Sequence, residues 1–237
     1  MRKLNFPYIT KPLPEWIGPV VAKVFAKMCD DTTGHDFLHA VRVMELSASI
    51  ADELHADVDI AAAAGLMHDY YRKEEKLSGQ LHFGLEAIEE LRREFGSLII
   101  PEIGEKAFAN ILDVIAVHES YNTNAVLSLD AQILQDADRL EAIGAVGIAR
   151  TFMFGGAHGL PMIEEEQKST VSAFDPNVPP NGSVHIHFYE KLLKLADGMH
   201  TAPGRRMAEQ RHQVMTAFLK QFENELGLSS PEVTALK

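Results

Sequence analysis

The chain holds one cysteine, Cys29, among 237 residues. An intramolecular disulfide framework and a cysteine-only metal site are therefore excluded, and such usage fits a reducing compartment. Basic residues are scarce, with 22 Lys and Arg against 34 Asp and Glu and a net charge of −12. Binding to a nucleic-acid polymer needs clustered Lys and Arg, so that class of partner is set aside. No apolar run approaches the roughly 18 residues that a membrane span requires. The opening "MRKLNFPYITKPLPEW" lacks an apolar stretch followed by a small-residue cleavage site, so no secretory signal is expected. The expectation is a cytoplasmic protein with no membrane partner. Period-two alternation, hairpin turns, internal repeats and low-complexity tracts are missing as well.

What is present reads as helix almost throughout. Hydrophobic residues make up 46% and charged residues 24%, which is ordinary globular composition. The length suits one large domain with a sizeable core. "PEWIGPVVAKVFAKMCD" spaces its apolar residues by three and four. "DDTTGHDFLHAVRVMELSASIADELHA" opens on helix-starting residues and continues through Leu38, Val41, Leu46, Ile50 and Leu54. "DVDIAAAAGLMHDYY" predicts a short buried helix starting near Asp57 or Asp59. "HFGLEAIEELRREF" predicts a helix stopping at Gly96, and "PEIGEKAFANILDVIAVHES" one with Pro101 in its first turn. "LDAQILQDADRLEAIGAVGIARTFMF" predicts one or two helices, and "HIHFYEKLLKLAD" and "GRRMAEQRHQVMTAFLKQFENELGL" two more. The long irregular stretch, about 155–182, is expected to be a lid or plain disorder.

Eleven histidines are many, and their placement matters more than their number. His39, the adjacent His68 and Asp69, His118, and Asp138 each fall near a helix end or a break in the apolar pattern. Imidazole and carboxylate together are a ligand set for Mn, Fe, Zn or Mg. In the last turn of a helix, an adjacent His and Asp can both face one ion. Each residue also has a plain alternative. His118 is favourable against the dipole at a helix C-terminus, and Asp138 can pair with Arg139 on the surface.

The blocks "HDFLHAVRV", "LMHDYYRK" and "QDADRLEAIGAVGIARTF", in that order, resemble the HD-domain superfamily of metal-dependent phosphohydrolases, with its H…HD…D ligand pattern. The resemblance covers about residues 20–155. The tail "HIHFYEKLLKLADGMHTAPGRRMAEQRH" resembles a subgroup of small bacterial HD hydrolases that includes nucleotide pyrophosphohydrolases. It implies an all-α helical bundle forming one domain over 1–237, with C-terminal helices from about 184 to 227 packed on the core. It also implies His39, His68, Asp69 and Asp138 as ligands of one divalent ion (Mn, Mg, Fe, Co, Ni or Zn). His118 lies where some HD proteins supply a histidine to a second metal. The catalytic residues it suggests are Asp69 and His35, the latter one helical turn before His39 and within reach of substrate or of a ligand.

The function implied is hydrolysis of a nucleotide or other small phosphorylated compound, by water acidified at the metal and attacking phosphorus roughly in line. An anionic substrate needs cations, and Arg72, Lys73 and Lys76 follow the His–Asp pair directly. His187 and Lys191, four apart on a later helix, are further candidates for substrate contact. The chain departs from its relatives in one respect. Many HD hydrolases place an acid three or four residues after the pair, where this sequence has Arg72 and Lys73, with Glu74 and Glu75 beyond. The general acid or base therefore stays open. A non-catalytic nucleotide sensor and a di-iron HD oxygenase are the alternatives. Oligomeric assembly is left open.

Overall fold

The computed structural model describes residues 14–119, 126–164, 170–172, 182–228 and 232–234, with backbone alone at 76, 170–172 and 232–234. Among these residues are ten α-helices, one 3-10 helix and two three-residue strands. The chain divides into two compact units. One is built from residues up to Asp31 with His35–Ala137, the other from Thr32–Gly34 and Asp138 onward.

The first unit holds α1 (Ile17–Met28), α2 (Phe37–Glu53), α3 (Val58–Met67), α4 (Arg72–Ser78), α5 (Leu85–Ile103), α6 (Glu105–Ala116) and the first part of α7 (Leu129–Glu141). The apolar run that forms α3 has no polar face, so it must be enclosed on all sides. Every residue from Ala61 to Met67 is buried, with α2 on one side and α6 on another. Asp57 starts α3 by accepting from the backbone N–H groups of Asp59 and Ile60 at 3.0 and 3.1 Å. Because Asp57 is exposed and otherwise only a cap, Asp57→Ala should cost about 1 kcal/mol. Thermal melting should report this as a fall of about 2–4 °C.

Small residues bring α2 and α3 together. A Cβ placed on Gly65 would lie 2.9 Å from the Met44 Cα and 2.9 Å from the Ser47 Oγ, inside any ordinary contact. Backbone therefore meets backbone here, and the end of α3 is held against the middle of α2.

Two sequence expectations are corrected in α5 and α6. The helix does not stop at Gly96, which is buried inside α5, 3.6 Å from the Phe108 ring as judged from a built Cβ. Pro101 does not open α6 but lies inside α5, near its C-terminal end. The stop is Gly104, whose φ of +84° only glycine adopts cheaply. His35 also differs from expectation. The Asp36 side chain accepts from the His39 N–H at 2.9 Å and starts α2 at Phe37, so His35 precedes the helix instead of sharing its face.

The second unit holds α8 (Gly144–Ala157), α9 (Val184–Glu190), a 3-10 helix (Leu192–Gly198) and α10 (Ala202–Leu226). Gly144, with φ +77°, separates α8 from α7. Phe152, Phe188, Phe218 and Phe222 join α8, α9 and α10 in one aromatic cluster. Strands β1 (Thr170–Ser172) and β2 (Glu232–Thr234) pair in parallel, Val171 opposite Val233. They form within and beyond the stretch expected to be irregular, and leave the class all-α. The lid expected over 155–182 falls largely on residues 165–169 and 173–181, outside the described residues, and its start is corrected because α8 continues to Ala157. Among the described residues no helix is long and apolar enough to cross a membrane.

Candidate metal centre

Five buried polar side chains converge in the first unit: His39 from α2, His68 and Asp69 at the end of α3, His82 from the turn before α5, and His118 just past α6. Asp69 is the hub. Its Oδ2 lies 2.8 Å from the His35 Nδ1, 3.4 Å from the His39 Nε2 and 3.5 Å from the His68 Nε2. Its Oδ1 lies 3.1 Å from the His82 Nε2. Burial drives the Asp69 carboxyl toward its neutral form. The facing charge of His68 and the hydrogen bonds with His35 and His39 outweigh this, holding it well below the usual carboxylate range.

The protonated nitrogen on two rings follows from their partners. His68 Nδ1 lies 2.8 Å from the Gly65 carbonyl, and His118 Nδ1 lies 2.7 Å from the Ile115 carbonyl. A carbonyl oxygen only accepts, so both Nδ1 atoms donate, and in the neutral form of each ring the Nε2 atom presents a lone pair to the interior. The His39 and His68 Nε2 atoms are 3.2 Å apart. At that separation either a shared proton or a coordinated cation can stand between them. His35, His39 and Asp69 each offer a donor atom within a 4.8 Å set, as do His68, Asp69 and His118. These donors fit a divalent ion of the Mn, Fe or Zn kind.

A second donor set adjoins the first: His82, His118 and Glu119, again within 4.8 Å. The His82 and His118 Nε2 atoms are 3.3 Å apart. His82 Nδ1 donates to the Glu75 Oε2 at 2.7 Å, a carboxylate–histidine pairing of the kind that orients metal ligands. Burial drives His82 toward neutrality, but its hydrogen bonds with Asp69 and Glu75 carry it up to about 9. Burial raises Glu119 while the charges of Arg72, His118 and His82 lower it, with a net shift downward.

The expected site residues are therefore distributed as follows. His35, His39, His68, Asp69 and His118 come together. Asp138 stands in the last turn of α7, at the start of the second unit. Arg72 points its NH1 at the Glu119 Oε1, 2.9 Å away. Lys73 forms an exposed ion pair with Asp30 at 2.7 Å. The Lys76 side chain lies outside the described residues. His187 and Lys191 belong to the second unit, where the His187 Nδ1 meets the Glu190 Oε1 at 2.8 Å and Lys191 ends α9.

His82 and Glu119 escaped the sequence reading, and Glu75 was noted there without a role. His82 sits in a turn with no helical period to mark it. The one available signal was a histidine in the short segment between Gly79 and Gly84.

The HD domain family matches residues 36–143. The uncharacterized protein YpgQ of Bacillus subtilis is 32% identical over 203 residues, covering 84% of this chain and 88% of YpgQ. The crystal structure of YpgQ in complex with ADP superposes with a TM-score of 0.64 at 30% identity, over 87% of this chain and 96% of that one. An HD-superfamily hydrolase from Bacillus thuringiensis superposes with a TM-score of 0.65 at 31% identity, over 90% and 97%.

Proposed function

The chain belongs to the HD-domain family, and from that premise we propose that it is a divalent-metal-dependent phosphohydrolase acting on a nucleotide, with a nucleoside triphosphate cut to monophosphate and pyrophosphate as the first reaction to test. The observation that carries this reading is the convergence of His35, His39 and His68 on one oxygen of a buried, ionised Asp69. The ADP complex of YpgQ supports a nucleotide as the substrate class.

His39, His68 and Asp69 would hold the ion. A bound divalent cation polarises a phosphoryl oxygen and lowers the pKa of a water to as little as about 7. His35 fixes the Asp69 carboxylate through its 2.8 Å hydrogen bond. Asp69 in turn keeps a full negative charge facing the imidazoles, and the Gly65 carbonyl holds the proton of His68 on Nδ1, which leaves the Nε2 lone pair for an ion. The acid or base of the reaction is sought at Glu75 and Glu119, the carboxylates facing this centre from beyond the pair.

Purified protein with Mn²⁺ and a panel of nucleoside mono-, di- and triphosphates should release pyrophosphate or phosphate, and EDTA should abolish the release. Binding of nucleotides with no turnover under any divalent ion would overturn hydrolysis in favour of a sensing role.

A further inference from the structure

Arg72 occupies an unusual position. Its NH1 lies 2.9 Å from the Glu119 Oε1 and 3.6 Å from the Glu75 Oε2. The same atom is 3.0 Å from the His82 Nδ1 and 3.1 Å from its Nε2. No point in the plane of an imidazole is so close to both nitrogens without striking the carbon between them. The guanidinium nitrogen therefore lies over the ring face, a stacking that arginine favours. One fixed positive charge thus touches the ring of His82, faces both carboxylates around it, and stands beside the second donor set of His82, His118 and Glu119.

That set has the chemistry to bind a divalent ion. Two imidazole nitrogens 3.3 Å apart and a carboxylate are ordinary ligands. Arginine stays protonated at any working pH and has no lone pair to offer a metal. It neutralises the carboxylates, uses Glu119 as its own acceptor, and repels any further cation brought alongside it.

We propose that Arg72 is the resident cation of the second donor set. The centre consequently takes one divalent ion, at His39, His68 and Asp69, and excludes a second. This rests on the metal reading of the first set given above. It assigns Arg72 an internal task, distinct from the gripping of substrate phosphate expected of it from sequence.

The test is a count. Protein stripped of metal is dialysed against saturating Mn²⁺, and bound manganese per chain is measured by elemental analysis, with the electron paramagnetic resonance spectrum showing whether two ions are coupled. Wild type is expected to bind one ion, Arg72→Gln two, and Arg72→Gln with His118→Ala one again. Arg72→Lys, which keeps the charge, is expected to bind one. Glu119→Gln, which leaves the first set whole, is also expected to bind one and tests the assignment independently should Arg72→Gln fail to fold. Two ions on the wild type, one on folded Arg72→Gln, or none on Glu119→Gln would overturn the proposal. A wild type that binds no manganese at all would overturn the first set, and the proposal with it.

Discussion

Asp69→Ala should leave the protein without stoichiometric metal and lower phosphohydrolase turnover by about 10³-fold or more. Metal assistance supplies several kcal/mol of transition-state stabilisation, and each 1.4 kcal/mol or so is a factor of ten in rate. No neighbour can replace the lost carboxylate. Its two oxygens are the acceptors that His35, His39, His68 and His82 face together, and removing it takes from these imidazoles the one carboxylate they share. The variant should keep its helical circular dichroism, since Asp69 lies past the end of α3 and caps nothing. Its melting temperature should fall, because buried imidazoles lose a charged acceptor. Elemental analysis and the pyrophosphate assay check both halves. Full metal content with a rate within tenfold of wild type would remove Asp69 from the centre.

Gly65→Ala should have a large effect although it removes no metal-binding side chain. The added methyl would stand 2.9 Å from the Met44 Cα and 3.0 Å from the Met44 backbone N. Neither is the tip of a flexible side chain, so α2 and α3 must move apart. Overpacking of this kind costs about 1–3 kcal/mol, and backbone contacts put the cost at the upper end. For a chain of this size about 3 kcal/mol corresponds to a drop of roughly 6–12 °C in melting temperature. The damage should also reach the chemistry. The Gly65 carbonyl is the acceptor for His68 Nδ1, and α2 carries His39, so separating the helices widens the 3.2 Å approach of the two rings. Manganese affinity should therefore fall along with stability. A variant that melts lower but binds the ion as tightly as wild type would uncouple the helix contact from the site.

These two residues mark how far the sequence could be read. Asp57 and the His68–Asp69 pair were legible because a cap and a helix end are local events, written within a few residues. The sudden polarity after Ala61–Met67 announces that a buried helix finishes at something functional. Gly96 was read as a helix stop, a place that Gly104 takes, for the opposite reason. Gly96 is buried beside Phe108 of the next helix, and no pattern in the segment itself reveals that neighbour. His82 is the same case in the site. It reaches Asp69 only because the turn between α4 and α5 folds inward, and Glu75 and Glu119 join it from separate elements. Sequence reasoning could see the candidate residues that end helices, and it missed His82, which a turn delivers.

Helix ends are ordinarily the first places where a helical protein loosens. Here His68 and His118 each turn back and fasten the final carbonyls of their own helix with one nitrogen while pointing the other inward. The rings of the proposed metal centre are thereby oriented as the chain folds, so little ordering would remain to be done on binding a cation, and the points where fraying would normally begin serve as anchors.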